Sequence, residues 1–126
     1  MCSSDLLFLL KTLFLHENKY EFMSILSLTF HCPEAVIKNW EKYFNQQLLQ
    51  SIQGFKSVHQ HIFSEIYSEM INEGKNYNLL LFFNTSSDRD DFLNSELLHL
   101  KDTIETSFSG EVMTFATLLN AISSSL

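Results

Sequence analysis

The stretch "NEGKNYNLLLFF", residues 72–83, changes character halfway along its length. Gly74 and three asparagines stand directly before a continuous apolar run that ends at Phe83. The run predicts a buried helix that begins near Lys75 or Asn76, and Gly74 is well placed as the C-terminal cap of the helix before it. The stretch therefore predicts a corner between two helices, with polar side chains at the rim and the centre of the fold behind them.

The composition favours helices over sheets. The chain has 126 residues, of which 45% are hydrophobic, but only three glycines and one proline. Sheet proteins of this size need many tight turns, and turns favour Gly, Pro, Asn and Asp. So few breakers predict long helices with short connections, and the length fits one domain over residues 1–126.

Apolar spacing predicts amphipathic helices on both sides of the opening stretch. An apolar run near the start of the chain is too short to span a bilayer and predicts a buried helix rather than a targeting segment. The run at 20–32 is ambiguous between a helix and a strand, and without a partner strand it is assigned to a helix. The other helical segments are 4–16, 34–51, 57–74, one that starts near Ser87, and 111–122. Together they predict an all-α bundle of six to eight helices around a central hydrophobic helix.

The charge of the chain excludes some partners. The net charge is −7 and only eight residues are basic. Nucleic-acid binders need a basic surface that neutralises phosphates, so a nucleic-acid partner is not expected. No integral membrane anchor is expected either, and two cysteines without motif spacing suggest a reducing compartment.

Residue patterns give little support to catalysis or metal binding. Glu96 and His99 have the Glu-x-x-His spacing, but a di-iron bundle needs two such motifs and two more carboxylates. Cys32 beside His31 lacks an orienting third group and is interpreted as a buried structural thiol. We therefore expect no enzyme activity and no cofactor, although a small metal-binding bundle stays open as a third hypothesis.

Three segments, taken in order, resemble homology motifs of the Bcl-2 family of apoptosis regulators. The segment 63–83 resembles the family's first motif, an acid-glycine corner followed by Asn-Trp-Gly-Arg and an apolar helix. The segment 109–119 resembles the second motif, and 5–20 resembles the first helix. The residues that carry the match are Glu73, Gly74, Asn76, Tyr77, Leu80, Leu81, Phe82, Gly110, Thr114, Phe115 and Leu118. Leu79 stands where the family places its arginine, so the resemblance implies a narrower set of ligands.

The resemblance implies an inhibitor of apoptosis, most like a viral homologue from a large DNA virus. It implies a hydrophobic groove that sequesters pro-apoptotic BH3 helices of host proteins. A homodimer stays open, and so does a second function, a viral adaptor of the same fold that acts on host signalling through other surfaces. The implied location is the host cytoplasm, with recruitment to mitochondria through partners left open. The implied groove residues are Phe44, Leu48, Phe63, Ile66, Met70, Asn76, Tyr77, Leu80, Phe115 and Leu119.

Overall fold

A four-stranded sheet, with helices on one side, forms the fold. The computed structural model describes residues 23–69 and 73–125. Its strands are β1 (Ser24–Cys32), β2 (Gln60–Ile66), β3 (Lys75–Phe83) and β4 (Met113–Asn120). Helix α1 covers 34–53, and α2 (Ser86–Asn94) and α3 (Glu96–Phe108) lie between β3 and β4. The predicted all-α bundle is therefore wrong.

Helix α1 changes its hydrogen-bond pattern along its length. A 3-10 turn at Glu34–Val36 leads into an α-helix at Ile37–Tyr43, a π-helical turn at Phe44–Leu48 and a last α-helical turn at Leu49–Gln53. Gly54 takes the C-cap position, so its backbone ends the helix. The helix predicted at 34–51 and its break at Gly54 are confirmed.

The strands pair antiparallel in the order β2-β3-β1-β4, so β1 and β3 form the centre of the sheet. Leu28 lies opposite Leu79 on one side and Ala116 on the other. On the far side of β3, Leu79 lies opposite Phe63 of β2. Over residues 23–69 and 73–125, the two edges of the sheet, β2 and β4, each pair with a strand on one side only.

Alternating burial explains why β1 is a strand. Leu26, Leu28, Phe30 and Cys32 are all fully buried, and the residues between them are partly exposed. A period of two is the spacing of a strand with one buried face, whereas a helix places buried residues three or four apart. The helix predicted at 20–32 is therefore wrong over the strand.

Three other helix predictions are wrong for related reasons. The segment 57–74 contains strand β2, the apolar run of the opening stretch is strand β3, and 111–122 contains strand β4. A short continuous apolar run occurs in central strands as well as in buried helices, so its hydrophobicity alone does not identify a helix. The helix predicted at 4–16 lies outside the described residues.

The core fills the space between the sheet and the helices. Trp40 of α1 is fully buried at its centre, and its ring lies 5.2 Å from Phe30, 5.9 Å from Tyr77 and 5.7 Å from Phe108. These rings come from a helix, two strands and α3, so one side chain joins four elements. Burial of large aromatic side chains is a main source of stability in a domain of this size.

Helix α2 begins at a side-chain cap and is tied to the sheet by a buried arginine. The Thr85 hydroxyl accepts a hydrogen bond from the Asp88 amide at 3.0 Å. The cap thus lies two residues before Ser87, where the sequence places the helix start. The Arg89 guanidinium donates through Nη1 to the carbonyl oxygens of Ile25 at 3.2 Å and Leu119 at 3.0 Å. This contact links α2 to β1 and β4.

Candidate functional site

The sheet face opposite the helices carries no Asp, Glu, Lys or Arg in the described strands. Since strand side chains alternate, the pairing register assigns four positions of each strand to this face. We call it the open face. Its residues are Ile25, Ser27, Thr29 and His31 of β1, Gln60, Ile62, Ser64 and Ile66 of β2, Asn76, Asn78, Leu80 and Phe82 of β3, and Met113, Phe115, Thr117 and Leu119 of β4.

Large apolar side chains of the open face are in contact with water. Ile62, Met113 and Phe115 are each 51% exposed, and Leu119 is 40% exposed. They lie on the two outer strands and surround a centre that is more polar. Exposed apolar groups concentrated on one face indicate a surface that another molecule covers.

A row of neutral polar side chains crosses the middle of the open face. The Asn78 amide nitrogen lies 2.8 Å from Ser27 Oγ, 3.4 Å from Thr29 Oγ1 and 3.3 Å from the carbonyl oxygen of Leu28. These contacts use the donors of the side chain, and in the described residues its Oδ1 accepts no hydrogen bond. The row therefore offers an acceptor to a molecule above the sheet.

His31 stands at the end of this row, where the sheet meets the start of α1. Its Nδ1 lies 2.5 Å from Asn76 Oδ1, and its Nε2 lies 4.0 Å from a Glu73 carboxylate oxygen. Glu73 also accepts from the Glu34 amide at 2.8 Å, and Glu34 accepts from the Gly74 amide at 3.3 Å. Because Asn76 Oδ1 is an acceptor, the ring donates from Nδ1, and Nε2 faces the Glu73 carboxylate.

The structure brings five of the ten predicted groove residues onto the open face. Ile66, Asn76 and Leu80 lie on β2 and β3, and Phe115 and Leu119 lie on β4. They are separate positions on a sheet and do not form the wall of a helical groove.

The other predicted groove residues lie on the helix side or outside the described chain. Phe63 stacks between Phe44 at 4.4 Å and Tyr77 at 6.0 Å, within the aromatic core. Leu48 is fully buried. Met70 lies outside the described residues.

Four open-face residues that define this site were missed in the sequence. His31, Asn78, Ile62 and Met113 are not among the groove residues that the Bcl-2 resemblance implies, because that resemblance selects positions on helices rather than every second position along a strand. A signal was available in β1, where Ser27, Thr29 and His31 alternate with buried residues. Neutral polar residues at every second position mark the exposed face of a strand.

A cleft of about 660 Å³ lies on the helix layer, between α1 and the start of α3. Tyr43, Phe55 and Leu100 form its apolar part, while Lys56 and His99 bring polar groups to it. Its size is in the range of small-molecule sites. The lining includes both positively and negatively charged side chains, so the charge of the cleft does not favour one class of ligand.

Buried ionisable groups lie on the helix side near β3. Burial raises the pKa of the Cys32 thiol to about 12. Burial, and then the charges of Glu65, Cys32 and Glu41, raises the pKa of Tyr77 to about 12. A thiol of this kind is poorly ionised at neutral pH and a weak nucleophile, which agrees with the prediction of a buried structural Cys32.

The described residues contain neither a metal cluster nor a membrane-spanning helix. Over 23–69 and 73–125, no three His, Cys, Asp or Glu side chains are grouped so that they could hold a metal ion. In the same ranges, none of the helices has the length and apolar character needed to cross a bilayer.

The sequence matches a known family over most of its length. A family model described as "Domain of unknown function (DUF4286)" matches residues 23–122. The chain belongs to this family. The match begins just before β1 and ends just after β4, so it covers the whole described fold. No curated protein sequence matches this DUF4286 chain.

Solved structures identify the fold as ferredoxin-like. A candidate antibiotic biosynthesis monooxygenase from Bacillus cereus is 13% identical, with a TM-score of 0.55 over 83% of this chain and 98% of that one. A dimeric ferredoxin-like protein from an uncultured marine organism is 9% identical, with a TM-score of 0.52 over 82% of this chain and 99% of that one. At these identities the likeness shows the fold alone.

These comparisons overturn the Bcl-2 interpretation. A ferredoxin-like DUF4286 domain has no helical groove, so neither inhibition of apoptosis nor binding of BH3 helices has support. The viral adaptor required the same Bcl-2 fold and is wrong with it. The three motif matches were local similarities in segments that form strands or, at 5–20, lie outside the described residues.

Proposed function

We propose that this chain works as a homodimeric binding protein, in which the open faces of two copies pack against each other. One observation carries the proposal: the open face has no charged side chain, yet it exposes Ile62, Met113, Phe115 and Leu119. The centres of protein interfaces are depleted in charge and rich in large apolar and aromatic residues. A monomer would keep these side chains in water.

The distribution of charge supports pairing through this face. Each copy has a net charge of −7, so two copies repel each other when their charged surfaces meet. The open face is a region where contact brings no carboxylate against another. In the described strands the two charged residues, Glu65 and Lys75, lie on the helix side.

The size of the face also suits a dimer. Four strands about 4.8 Å apart and about eight residues long cover roughly 500 Å² in projection. Side-chain relief raises the accessible area toward the roughly 800 Å² per partner of a standard interface. A solved structure with the same fold is described as dimeric, so a homodimer is compatible with this architecture.

The mass of the protein in solution tests the dimer. We expect light scattering after size exclusion to give at least twice the chain mass of 14.7 kDa. Ile62→Lys adds a charge to the open face, and we expect it to lower the mass of the assembly while the chain stays folded. Leu98→Lys is the matched control, because Leu98 is 59% exposed on α3, away from the sheet. A monomeric wild type, or an assembly whose mass is unchanged by Ile62→Lys, would refute the proposal.

The polar row gives the dimer a second candidate function, the binding of a small neutral molecule between the two sheets. Asn78 Oδ1 is an acceptor with no partner in the described residues, so the row favours a ligand that donates hydrogen bonds, such as a hydroxylated aromatic compound. Apolar residues on both sides of the row would contact the ring of such a ligand.

Two simple probes test this candidate. Phenol donates a hydrogen bond, and anisole has the same ring but no donor. In NMR titrations we expect phenol, but not anisole, to shift the amide signals of His31, Asn76 and Asn78, with the phenol shifts lost in Asn78→Ala. Equal shifts for both probes would mean that the row does not select donors.

The expectation that this chain is not an enzyme stays a prediction. The fold is shared with a candidate monooxygenase, and 13% identity carries no activity from one protein to the other. The sequence-based expectation of a non-catalytic protein is kept as part of this proposal. Binding without turnover requires no more than the groups described on the open face.

A further inference from the structure

In the part of the chain that the structure describes, strand β4 is an unprotected edge of the sheet. Its sequence, "MTFATLLN", has no charged residue and no proline over eight positions. Its side chains are exposed on both faces: Phe115 on the open face is 51% exposed, and Leu118 on the helix side is 53% exposed. Long, flat, apolar edge strands attract a further strand, and proteins usually guard them with charges, prolines or bulges.

The opposite edge, β2, has such protection. Glu65 and His61 interrupt its apolar pattern, and Glu65 lies 3.8 Å from Lys75 in an ion pair. A strand added there would place its side chains next to these polar groups. Of the two edge strands, β4 is therefore the one without a charged side chain.

The hydrogen bonds of β4 reveal which backbone groups are free. The Ala121 amide donates to the Met23 carbonyl oxygen, and hydrogen-bonded pairs alternate along an antiparallel ladder. Residues 119, 117, 115 and 113 then turn their N–H and C=O groups toward β1. The same groups of Thr114, Ala116, Leu118 and Asn120 point away from the sheet, with no partner in the described residues.

We propose that β4 pairs with β4 of a second copy, antiparallel about a two-fold axis at Thr117, to form a continuous eight-stranded sheet. In this register Thr117 meets itself, and Ala116 meets Leu118 of the other copy. The free N–H and C=O groups of both strands then bond to each other. This interface uses the edge of the sheet and goes beyond the proposed pairing of open faces.

Side-chain pairing selects this register and favours a second copy as the partner. Phe115 lies opposite Leu119, and Thr114 lies opposite Asn120, so apolar residues meet apolar ones and polar residues meet polar ones. With the axis moved to Ala116, Thr114 would lie opposite Leu118 and Phe115 opposite Thr117. In this register the sequence of β4 is complementary to itself. An unrelated strand would not place matching residues opposite it at each position.

Disulfide cross-linking tests the proposal. Thr117→Cys places two thiols across the axis at a non-hydrogen-bonded pair, where the Cα atoms lie about 4.5 Å apart and a disulfide can close. Thr106→Cys on α3 is the control for random collisions. Both variants carry Cys2→Ser, so that Cys32, which is buried, is the remaining native thiol.

The variants also carry Ile62→Lys, which separates this interface from the open-face dimer. We expect the Thr117→Cys chain to form a covalent dimer at least about tenfold faster than the control, because pairing raises the effective thiol concentration. Adding Leu118→Lys should remove the difference, since it puts a charge on the edge. Cross-linking no faster than the control, or unaffected by Leu118→Lys, would overturn the edge pairing and leave the open-face dimer to its own test.

Discussion

Gly74 is the residue on which the entry to β3 depends. Its φ is +81°, and a Cβ added there would overlap the carbonyl oxygen of Cys32 at the end of β1. Gly110 also has a positive φ, +77°, but a Cβ added there would meet no atom within 4 Å. The two glycines therefore share a backbone conformation and differ in the space around them.

We predict that Gly74→Ala destabilises the protein more than Gly110→Ala. A left-handed conformation costs an L-residue about 1–2 kcal/mol, and this is the loss we expect at Gly110. At Gly74 the overlap with a backbone atom adds to that cost, so the loss of unfolding free energy should be clearly larger. Urea unfolding of both variants measures the difference, and equal losses would contradict it.

Cys32 and Tyr77 make the fold sensitive to alkali. Burial raises the pKa of Cys32 from 9.0 to about 12, and it raises the pKa of Tyr77 from 10.0 to about 12. Above pH 9 the unfolded chain releases protons that the folded chain retains. The stabilisation from these groups is therefore complete below pH 9 and is lost as the pH rises toward 12.

We predict that the free energy of unfolding falls between pH 9 and 12, with a slope of at most about 1.4 kcal/mol per pH unit from each group. Cys32→Ala should make the fall shallower from pH 9 upward. Tyr77→Phe should do so only above pH 10. Urea unfolding at a series of pH values tests both, and variant curves parallel to the wild type would contradict the assignment.

At the scale of the element, the cap of α2 is a single side chain. The Thr85 hydroxyl satisfies the Asp88 amide, one of the free amides at the start of the helix. We predict that Thr85→Ala lowers the free energy of unfolding by about 1 kcal/mol, whereas Thr85→Ser retains most of it. Chemical denaturation measures both variants, and a serine variant as unstable as the alanine one would argue against the cap.

The elements differ in how well the sequence predicts them. Helix α1 was predicted because Ile37, Trp40, Phe44 and Leu48 recur at helical spacing within one segment. Strand β3 was not, because its apolar run has no clear period and its burial depends on being the central partner of β1. Pairing between distant segments is not encoded in the local pattern of either strand.

The sequence predicts only part of the candidate site, because the pairing of distant strands is not encoded in their local patterns. Asn76, Leu80 and Phe115 were named as surface binding residues, and they do lie on the open face. The predicted partners of that surface are wrong, because three short motifs occur here in the Bcl-2 order without the Bcl-2 fold, whereas the alternation in β1 is the spacing of a strand. A surface made from four strands becomes recognisable only when their register is known.

At the scale of the whole molecule, the acidic charge and the two uncharged surfaces act together. A net charge of −7 keeps chains apart at random, and contact is least unfavourable at the open face and at the edge of β4. Salt shortens the range of repulsion to about 10 Å at 0.1 M. Association should therefore strengthen with ionic strength, the reverse of an interface held by ion pairs.

Association of two copies is thermodynamically linked to folding. If two copies pair, the folded state is stabilised by mass action, and the midpoint of thermal unfolding rises with protein concentration. For a domain of this size we expect about 2–4 °C for each tenfold increase in concentration. Ile62→Lys should remove the part of this dependence that comes from the open face, whereas Leu98→Lys should leave it unchanged. Differential scanning calorimetry at several concentrations provides the measurement, and a midpoint independent of concentration in the wild type would count against pairing through either surface.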